Sequence, residues 1–253
     1  MNIIFFDIDG TLALGKDVPP SAAEGIRLVR EKGDLVFICT GRGIRYVKNN
    51  FSAYADGFIT NNGRLAFYKD EVIFDEPLDK DVQRKILEVL RQSEVGYVFH
   101  GKYDGHYGGP ADLFETMSAV GDPGYMSYGV DEKEDYYNFD FSYKDPKDRD
   151  GLKEALKKYC IMNPHGPHPS VDMSVYGIDK ADALRHVAQR LQVDIDHTYA
   201  FGDGFNDITM LKAAGHGIAM GNGQEKTKEA AEYVTKRIDE DGVYRALKHY
   251  KLI

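Results

Sequence analysis

The sequence predicts an α/β protein in which a mostly parallel sheet is interrupted by an inserted α+β module. Three observations carry this. Short unbroken apolar runs, the first being Ile3 to Phe6, alternate with helical-period segments near both ends of the chain. Each run stops in a turn rich in Asp, Gly, Thr or Asn, the placement expected of ligand-bearing loops at the carboxyl ends of parallel strands. Between these two regions, from Tyr97 to Tyr143, lie aromatic-rich short strands punctuated by glycine, with no such alternation.

In chain order, the apolar run Ile3 to Phe6 reads as a strand buried on both faces. Ser21 reads as the cap of a helix carrying Ala22, Ala23, Ile26 and Val29, and Gly33 as its stop. Leu35 to Ile38 is a second buried strand, a helix runs to about Phe51, and Phe58 to Thr60 is a third strand. This βαβαβ order implies parallel strands with right-handed crossovers. Arg64 to Tyr68 and Val72 to Phe74 then form a hairpin across Lys69-Asp70-Glu71, and Asp79 caps a helix with Val82, Ile86, Val89 and Leu90. A helix over Lys153 to Tyr159 and a Pro/His loop over Asn163 to Ser170 close the inserted module. The βα alternation returns with a strand at Val171 to Val175 and a helix at Asp179 to Leu191. It continues with strands at Thr198 to Phe201 and Gly217 to Met220, and helices at Asn206 to Ala214, Gln224 to Glu232 and Asp239 to Tyr250. The expected organisation is a core of residues 1–79 and 172–253 with an inserted α+β domain at 80–171.

The 253 residues are 42% apolar and 12% aromatic, enough for a sizeable core and too apolar for a disordered chain. The formal net charge of −9 argues against nucleic acid or an anionic membrane surface as partner. No run is long enough to span a membrane, and the amino terminus enters a strand directly, without a signal-peptide pattern. Cys39 and Cys160 make no disulfide framework, which fits a reducing cytoplasm. With this charge, an anionic substrate must be drawn in by a local positive site.

Four patches supply such chemistry. Asp7-Ile8-Asp9-Gly10-Thr11 follows the first strand; in extended backbone Asp7 and Asp9 would point to one side and share a cation. Thr40-Gly41-Arg42 offers a hydroxyl and free amides for an anion at a strand-to-helix turn. Lys180 stands in the first turn of a helix after Gly177. Gly202-Asp203-Gly204-Phe205-Asn206-Asp207 is a glycine-rich acidic turn after a strand. Together they offer carboxylates for a hard divalent metal and donors for phosphate oxygens.

The order and content of these patches resemble the haloacid dehalogenase (HAD) superfamily, across the whole chain. The last patch with Met210, followed by Ala219-Met220-Gly221-Asn222 and Lys228, resembles the Cof-like branch; Gly223 stands where that branch commonly has Ala. The resemblance implies a Rossmann-like core with a type-IIB α+β cap that selects the substrate. It implies Asp7 as nucleophile, Asp9 as general acid and base, and Lys180 as the charge that orients Asp7. Thr40, Gly41, Lys180 and Asn206 would bind phosphate. Mg²⁺ would be held by Asp7, the Asp9 carbonyl and Asp203, with Asp207 either ligating it or anchoring its waters. Asn62, in Asn61-Asn62-Gly63, resembles the family's turn facing the phosphate; with Thr11 and Arg42 it is a candidate for a supporting or substrate-contacting place.

Competing readings of single features are weaker. A Ca²⁺ loop at Asp7 would need Gly and Glu where Leu12 and Val18 stand, and a dinucleotide loop at Gly202 would need glycine where Asp207 stands. Cys39 reads as core packing, and His165 and His168, among prolines with no further ligand nearby, as loop residues rather than a zinc site. The eight tyrosines from Tyr97 to Tyr143 read as packing before they read as a ring-binding surface. The expected activity is Mg²⁺-dependent hydrolysis of a small phosphate monoester, such as a sugar phosphate, through an aspartyl phosphate. A phosphomutase is the alternative, disfavoured because 80–171 offers no basic cluster for a second phosphate; a non-catalytic phosphometabolite-binding protein is less favoured still.

Overall fold

The computed structural model describes residues 1–114, 125–164 and 168–253. The chain forms two compact units, one of Met1–Thr40, Val47–Asp75 and Asp179–Ile253, the other of Gly41–Tyr46 and Glu76–Ile178.

The first unit is built on an eight-stranded sheet. Strand β1 (Ile3–Phe6) lies at its centre between β2 (Leu35–Cys39) and β12 (Thr198–Gly202), parallel to both. Beyond β2 come β3 (Gly57–Thr60) and the antiparallel hairpin β4 (Leu65–Tyr68) and β5 (Glu71–Asp75); beyond β12 come β13 (His216–Ala219) and β14 (Tyr233–Val234). All four residues of β1 are fully buried, as an unbroken apolar run in a doubly covered parallel sheet requires. One face is packed by α5 (Lys180–Arg190) and α6 (Ile208–Ala213): Ala183, Leu184, Val187, Met210 and Leu211 meet Ile3, Phe5, Phe37, Ile59 and Ala200. Helices α1 (Pro20–Glu31) and α8 (Gly242–His249), which pack on each other, bury Ile26, Val29, Val243 and Leu247.

Ser21 is not the cap of α1. The helix begins one residue earlier, with Pro19 in the capping place and Pro20 in the first turn, and no side chain caps it. Proline's fixed φ and missing N–H suit that first turn, so the Pro pair starts the helix where a hydroxyl was expected to.

The second unit holds a six-stranded sheet in the order β10 (Cys160–Pro164), β11 (Ser170–Val175), β9 (Asn138–Ser142), β6 (Gly96–His100), β7 (Gly105–Gly108), β8 (Met126–Tyr128). One face is apolar, with Tyr97, Phe99, Phe139, Phe141, Val171 and Met173 packed by Ile86, Leu87 and Leu90 of α3 (Lys80–Arg91) and Leu152 and Leu156 of α4 (Pro146–Leu156). Asp79 caps α3 through the amides of Asp81 and Val82. The opposite face carries polar residues: Asp140 pairs in register with Asp172 on one side and Val98 on the other. There His100 Nε2 meets Asp140 Oδ2 at 2.7 Å, and its Nδ1 meets the Tyr125 hydroxyl at 3.0 Å. Six of the eight tyrosines are buried and only Tyr103 and Tyr128 are exposed, in keeping with a packing role.

Two expectations for this region change. The strand at 171–175 belongs to the second sheet and not to the returning βα series, so the second unit runs past residue 171 to Ile178 and starts at Glu76. Its alternation is the reason: Val171, Met173 and Val175 are buried while Asp172 and Ser174 are half-buried, the pattern of an amphipathic antiparallel strand. Asn163 and Pro164 belong to the edge strand β10, a place that tolerates proline, and α4 starts at Pro146, capped by Asp145. His168 bonds the Ser170 hydroxyl; His165 lies outside the described residues.

Candidate active site

The site of the first unit is assembled at the carboxyl ends of β1, β2, β3 and β12. Strand β1 stops at Phe6, and the chain turns at once. Leu12 N–H donates to the carbonyls of Asp7 and Ile8, and Ala13 N–H to that of Ile8. This turn overrides the extended geometry assumed for the two aspartates. Asp7 is 7% exposed and points inward, whereas Asp9 is exposed and outside the cluster of carboxylates described below.

Lys180 is the first residue of α5, whose amino end is fixed by a reciprocal cap. Asp179 accepts from the amides of Ala181 and Asp182, and Asp182 accepts from that of Asp179. The adjoining Asn61-Asn62-Gly63 turn fits against this cap: Gly63 has φ +101°, and a Cβ there would lie 2.0 Å from the Asp179 carbonyl oxygen. Lys180 is 1% exposed and its Nζ donates to Asp7 Oδ1 at 2.7 Å and Asp207 Oδ1 at 2.6 Å. Asp207, fully buried, accepts on its other oxygen from the amides of Asp203 and Gly204, both at 2.9 Å. Thr11 Oγ1 donates to Asp203 Oδ1 at 2.8 Å, tying the first acidic turn to the last. Gly10 allows this approach: at φ +86°, a Cβ would come within 2.6 Å of Asp203 Oδ2.

Carboxylate oxygens of Asp7, Asp203 and Asp207 lie within 4.8 Å of one another. Burial raises the pKa of Asp7 well above its ordinary range; Lys180 opposes this, while Asp207, Asp203 and Asp9 add to it. Asp203 is pushed up to about 6 by burial and by Asp207, against the Thr11 hydrogen bond and Lys180. Burial disfavours the charge on Lys180, but Asp207 and Asp7 outweigh it and hold the ammonium firmly protonated. One lysine against two buried carboxylates and one half-buried leaves an excess of negative charge, and the donors are all hard oxygens. That is a fitting site for a divalent cation such as Mg²⁺.

Of the other predicted residues, Thr40, Asn62 and Asn206 are joined by hydrogen bonds within the first unit. Thr40 is buried directly after β2, and its carbonyl accepts from Asn62 N–H at 3.0 Å. Asn62, in a left-handed conformation, accepts from Asn206 Nδ2 at 3.1 Å. Gly41 and Arg42 follow Thr40 in the chain but group with the second unit, where the Arg42 guanidinium lies over the Tyr46 ring. Cys39 is fully buried, and burial pushes its thiol pKa up, so packing describes it.

Three contacts were not foreseen. Asn222 Nδ2 donates to the Gly10 carbonyl at 2.7 Å, Gln224 N–H to that of Asp203 and Thr227 Oγ1 to that of Gly204, both at 2.9 Å. The Ala219-Met220-Gly221-Asn222 segment was visible as a motif, but nothing in its composition said what it would touch. Gly223 is also less exchangeable than one small residue for another suggests, since a Cβ would meet the Met220 carbonyl oxygen at 2.9 Å.

A family model of haloacid dehalogenase-like hydrolases matches residues 4–247. The chain belongs to that family. Among its relatives is YkrA of Bacillus subtilis (strain 168), whose name gives phosphatase provisionally, 31% identical with 100% of this chain and 98% of that protein covered. The 5-amino-6-(5-phospho-D-ribitylamino)uracil phosphatase YcsE of the same organism is 29% identical, with 100% and 96% covered. Among solved structures, the HAD subclass IIB sugar phosphatase BT4131 matches with a TM-score of 0.85 and 26% identity over 100% of both chains. The parallel sheet with an inserted α+β unit is thus the fold of a subclass IIB HAD core with its cap domain, and the enzyme class is that of a phosphoric monoester hydrolase.

Proposed function

We propose that this HAD-family enzyme is a Mg²⁺-dependent phosphatase of small phosphate monoesters that works through an aspartyl phosphate on Asp7. The observation that carries this reading is the Lys180 bridge between Asp7 and Asp207 beside Asp203. It holds one oxygen of a buried carboxylate in place and leaves the other to attack.

Asp7 Oδ2 attacks phosphorus, and the P–O bond to the substrate's alcohol breaks. Asp9, exposed on the adjoining turn, gives its proton to the departing oxygen. Asp9 then takes a proton from water, whose oxygen attacks phosphorus and returns Asp7 as carboxylate with inorganic phosphate released. Lys180 opposes the effect of burial on Asp7 and keeps it oriented throughout, and Thr40, the Gly41 amide and Asn206 receive phosphate oxygens. Asp207 has both oxygens engaged by Lys180 and two amides, so it serves as an anchor. Asp7, Asp203 and the Asp9 carbonyl are the residues for Mg²⁺, which when bound supplies the Lewis-acid charge that neutralises phosphate oxygens.

For the substrate, the sugar phosphatase BT4131 and the 5-amino-6-(5-phospho-D-ribitylamino)uracil phosphatases among the relatives favour a phosphorylated sugar or sugar alcohol, the latter with an attached ring. The test is a phosphate-release screen with Mg²⁺ across sugar phosphates, sugar-alcohol phosphates, flavin mononucleotide and pyridoxal phosphate. Release from a hydroxylated ester, lost with EDTA, is expected. Isomerised sugar phosphate without net release would make the enzyme a mutase, and silence across the panel would defeat the reading.

A further inference from the structure

We propose that Asn222 is a positioning residue for the phosphatase reaction, an inference that rests on the function proposed above. Its amide is used at both ends: Nδ2 donates to the Gly10 carbonyl at 2.7 Å, and Oδ1 accepts from Ile238 N–H at 2.9 Å. Fixed at both ends, the group cannot rotate without breaking a bond, so it joins the turn after β1 to the segment entering α8. It spans 212 positions of chain to reach Gly10.

Gly10 is the pivot of the turn that carries Asp9 and Thr11, and its missing side chain is what lets that turn approach Asp203. Thr11 bonds Asp203 from the same turn. On the far side, Gln224 N–H and Thr227 Oγ1 hold the carbonyls of Asp203 and Gly204. The short segment 222–227 thereby grips the two acid-bearing turns at once, through three backbone carbonyls, and sets their separation. Asn222 is the side chain of that segment that reaches the first turn. Without it, the segment grips one turn only and the first turn keeps the Thr11 bond to Asp203 without the brace at Gly10, which would loosen the metal's ligands and misplace Asp9 without touching the phosphate donors.

The test compares Asn222→Ala, Asn222→Asp and, as a stability control, Thr198→Val. Asn222→Asp keeps the acceptor for Ile238 but sets a carboxylate oxygen against the Gly10 carbonyl. Thr198 also makes two hydrogen bonds, to the Ile195 carbonyl and from Gly215 N–H, at the opposite end of β12. Steady-state kinetics with p-nitrophenyl phosphate and calorimetric titration of Mg²⁺ are measured on folded protein. Both Asn222 variants should lose about tenfold or more in kcat with KM within about threefold of wild type, and bind Mg²⁺ about tenfold more weakly. Thr198→Val should lower the melting temperature and change neither. Asn222 variants with wild-type kcat and Mg²⁺ affinity overturn the inference, as does a loss that tracks only the unfolded fraction. If the wild type binds Mg²⁺ but releases no phosphate, the functional reading fails alone and the Mg²⁺ titration still judges Asn222. If it does neither, both fall.

Discussion

Lys180 and Asp7 stand 173 positions apart in the chain, and the lysine donates to the carboxylate at 2.7 Å with both groups almost closed to solvent. The same ammonium holds Asp207, so a single buried cation serves two buried anions. Removing one partner of such a set is far costlier than the set itself is stabilising.

Lys180→Met is therefore expected to destabilise the protein by about 3 kcal/mol in urea unfolding, as well as to abolish phosphate release. The methionine fills the space but leaves Asp7 and Asp207 facing each other without a charge between them. A variant within about 0.5 kcal/mol of wild type would show that the carboxylates are neutral in the folded protein.

Asp7→Asn should behave oppositely in stability. It removes a negative charge from an overcrowded acidic site while keeping an acceptor for Lys180, so the melting temperature should hold or rise. Turnover should fall by about a thousandfold or more, because the amide is no nucleophile. Residual activity near wild type would displace Asp7 from that role.

Gly63→Ala tests the seat of Lys180 from a distance. The φ of +101° and the 2.0 Å approach of a Cβ to the Asp179 carbonyl oxygen together predict a loss of about 2 kcal/mol and displacement of the α5 cap. Activity should drop with stability. Wild-type thermal unfolding would mean that the turn can move away from the helix end.

Mg²⁺ should raise the melting temperature, since it screens Asp7 and Asp203 in the folded state and has no comparable site in the unfolded chain. At a hundredfold excess over Kd the gain is about 2.7 kcal/mol. Differential scanning calorimetry with Mg²⁺ and with EDTA reads this directly; identical melting curves would argue against a metal at these carboxylates.

His100 gives a pH signature to the second unit. Burial disfavours its charge, but Asp140 outweighs this with help from Asp172 and against Arg42, so its pKa lies above the ordinary 6.5. A raised folded pKa means that folding gains a proton. The stability from this pair is fully present below about pH 6.5 and is lost as pH rises through the folded value. In urea unfolding, His100→Gln should cost more at about pH 6 than at about pH 8.5, and a pH-independent difference would show that the imidazole stays neutral in the fold.

The sequence by itself determined the chemistry-bearing patches, their order, and the alternation of apolar strand and helix that makes a parallel sheet. These signals are local: an apolar run, a cap, a glycine and an acidic turn are set by neighbours in the chain, and the Asp79 cap reads correctly for that reason. Tertiary structure alone decided what those residues touch. It turned the chain after Phe6, so Asp7 faces Lys180 while Asp9 faces outward, and it moved Ser170–Val175 into the second sheet. It also brought Asn222 to Gly10. Each of these depends on which distant backbone group accepts a hydrogen bond or which face is covered by a helix. No periodicity along the chain encodes that, because the partners are chosen by packing across the fold.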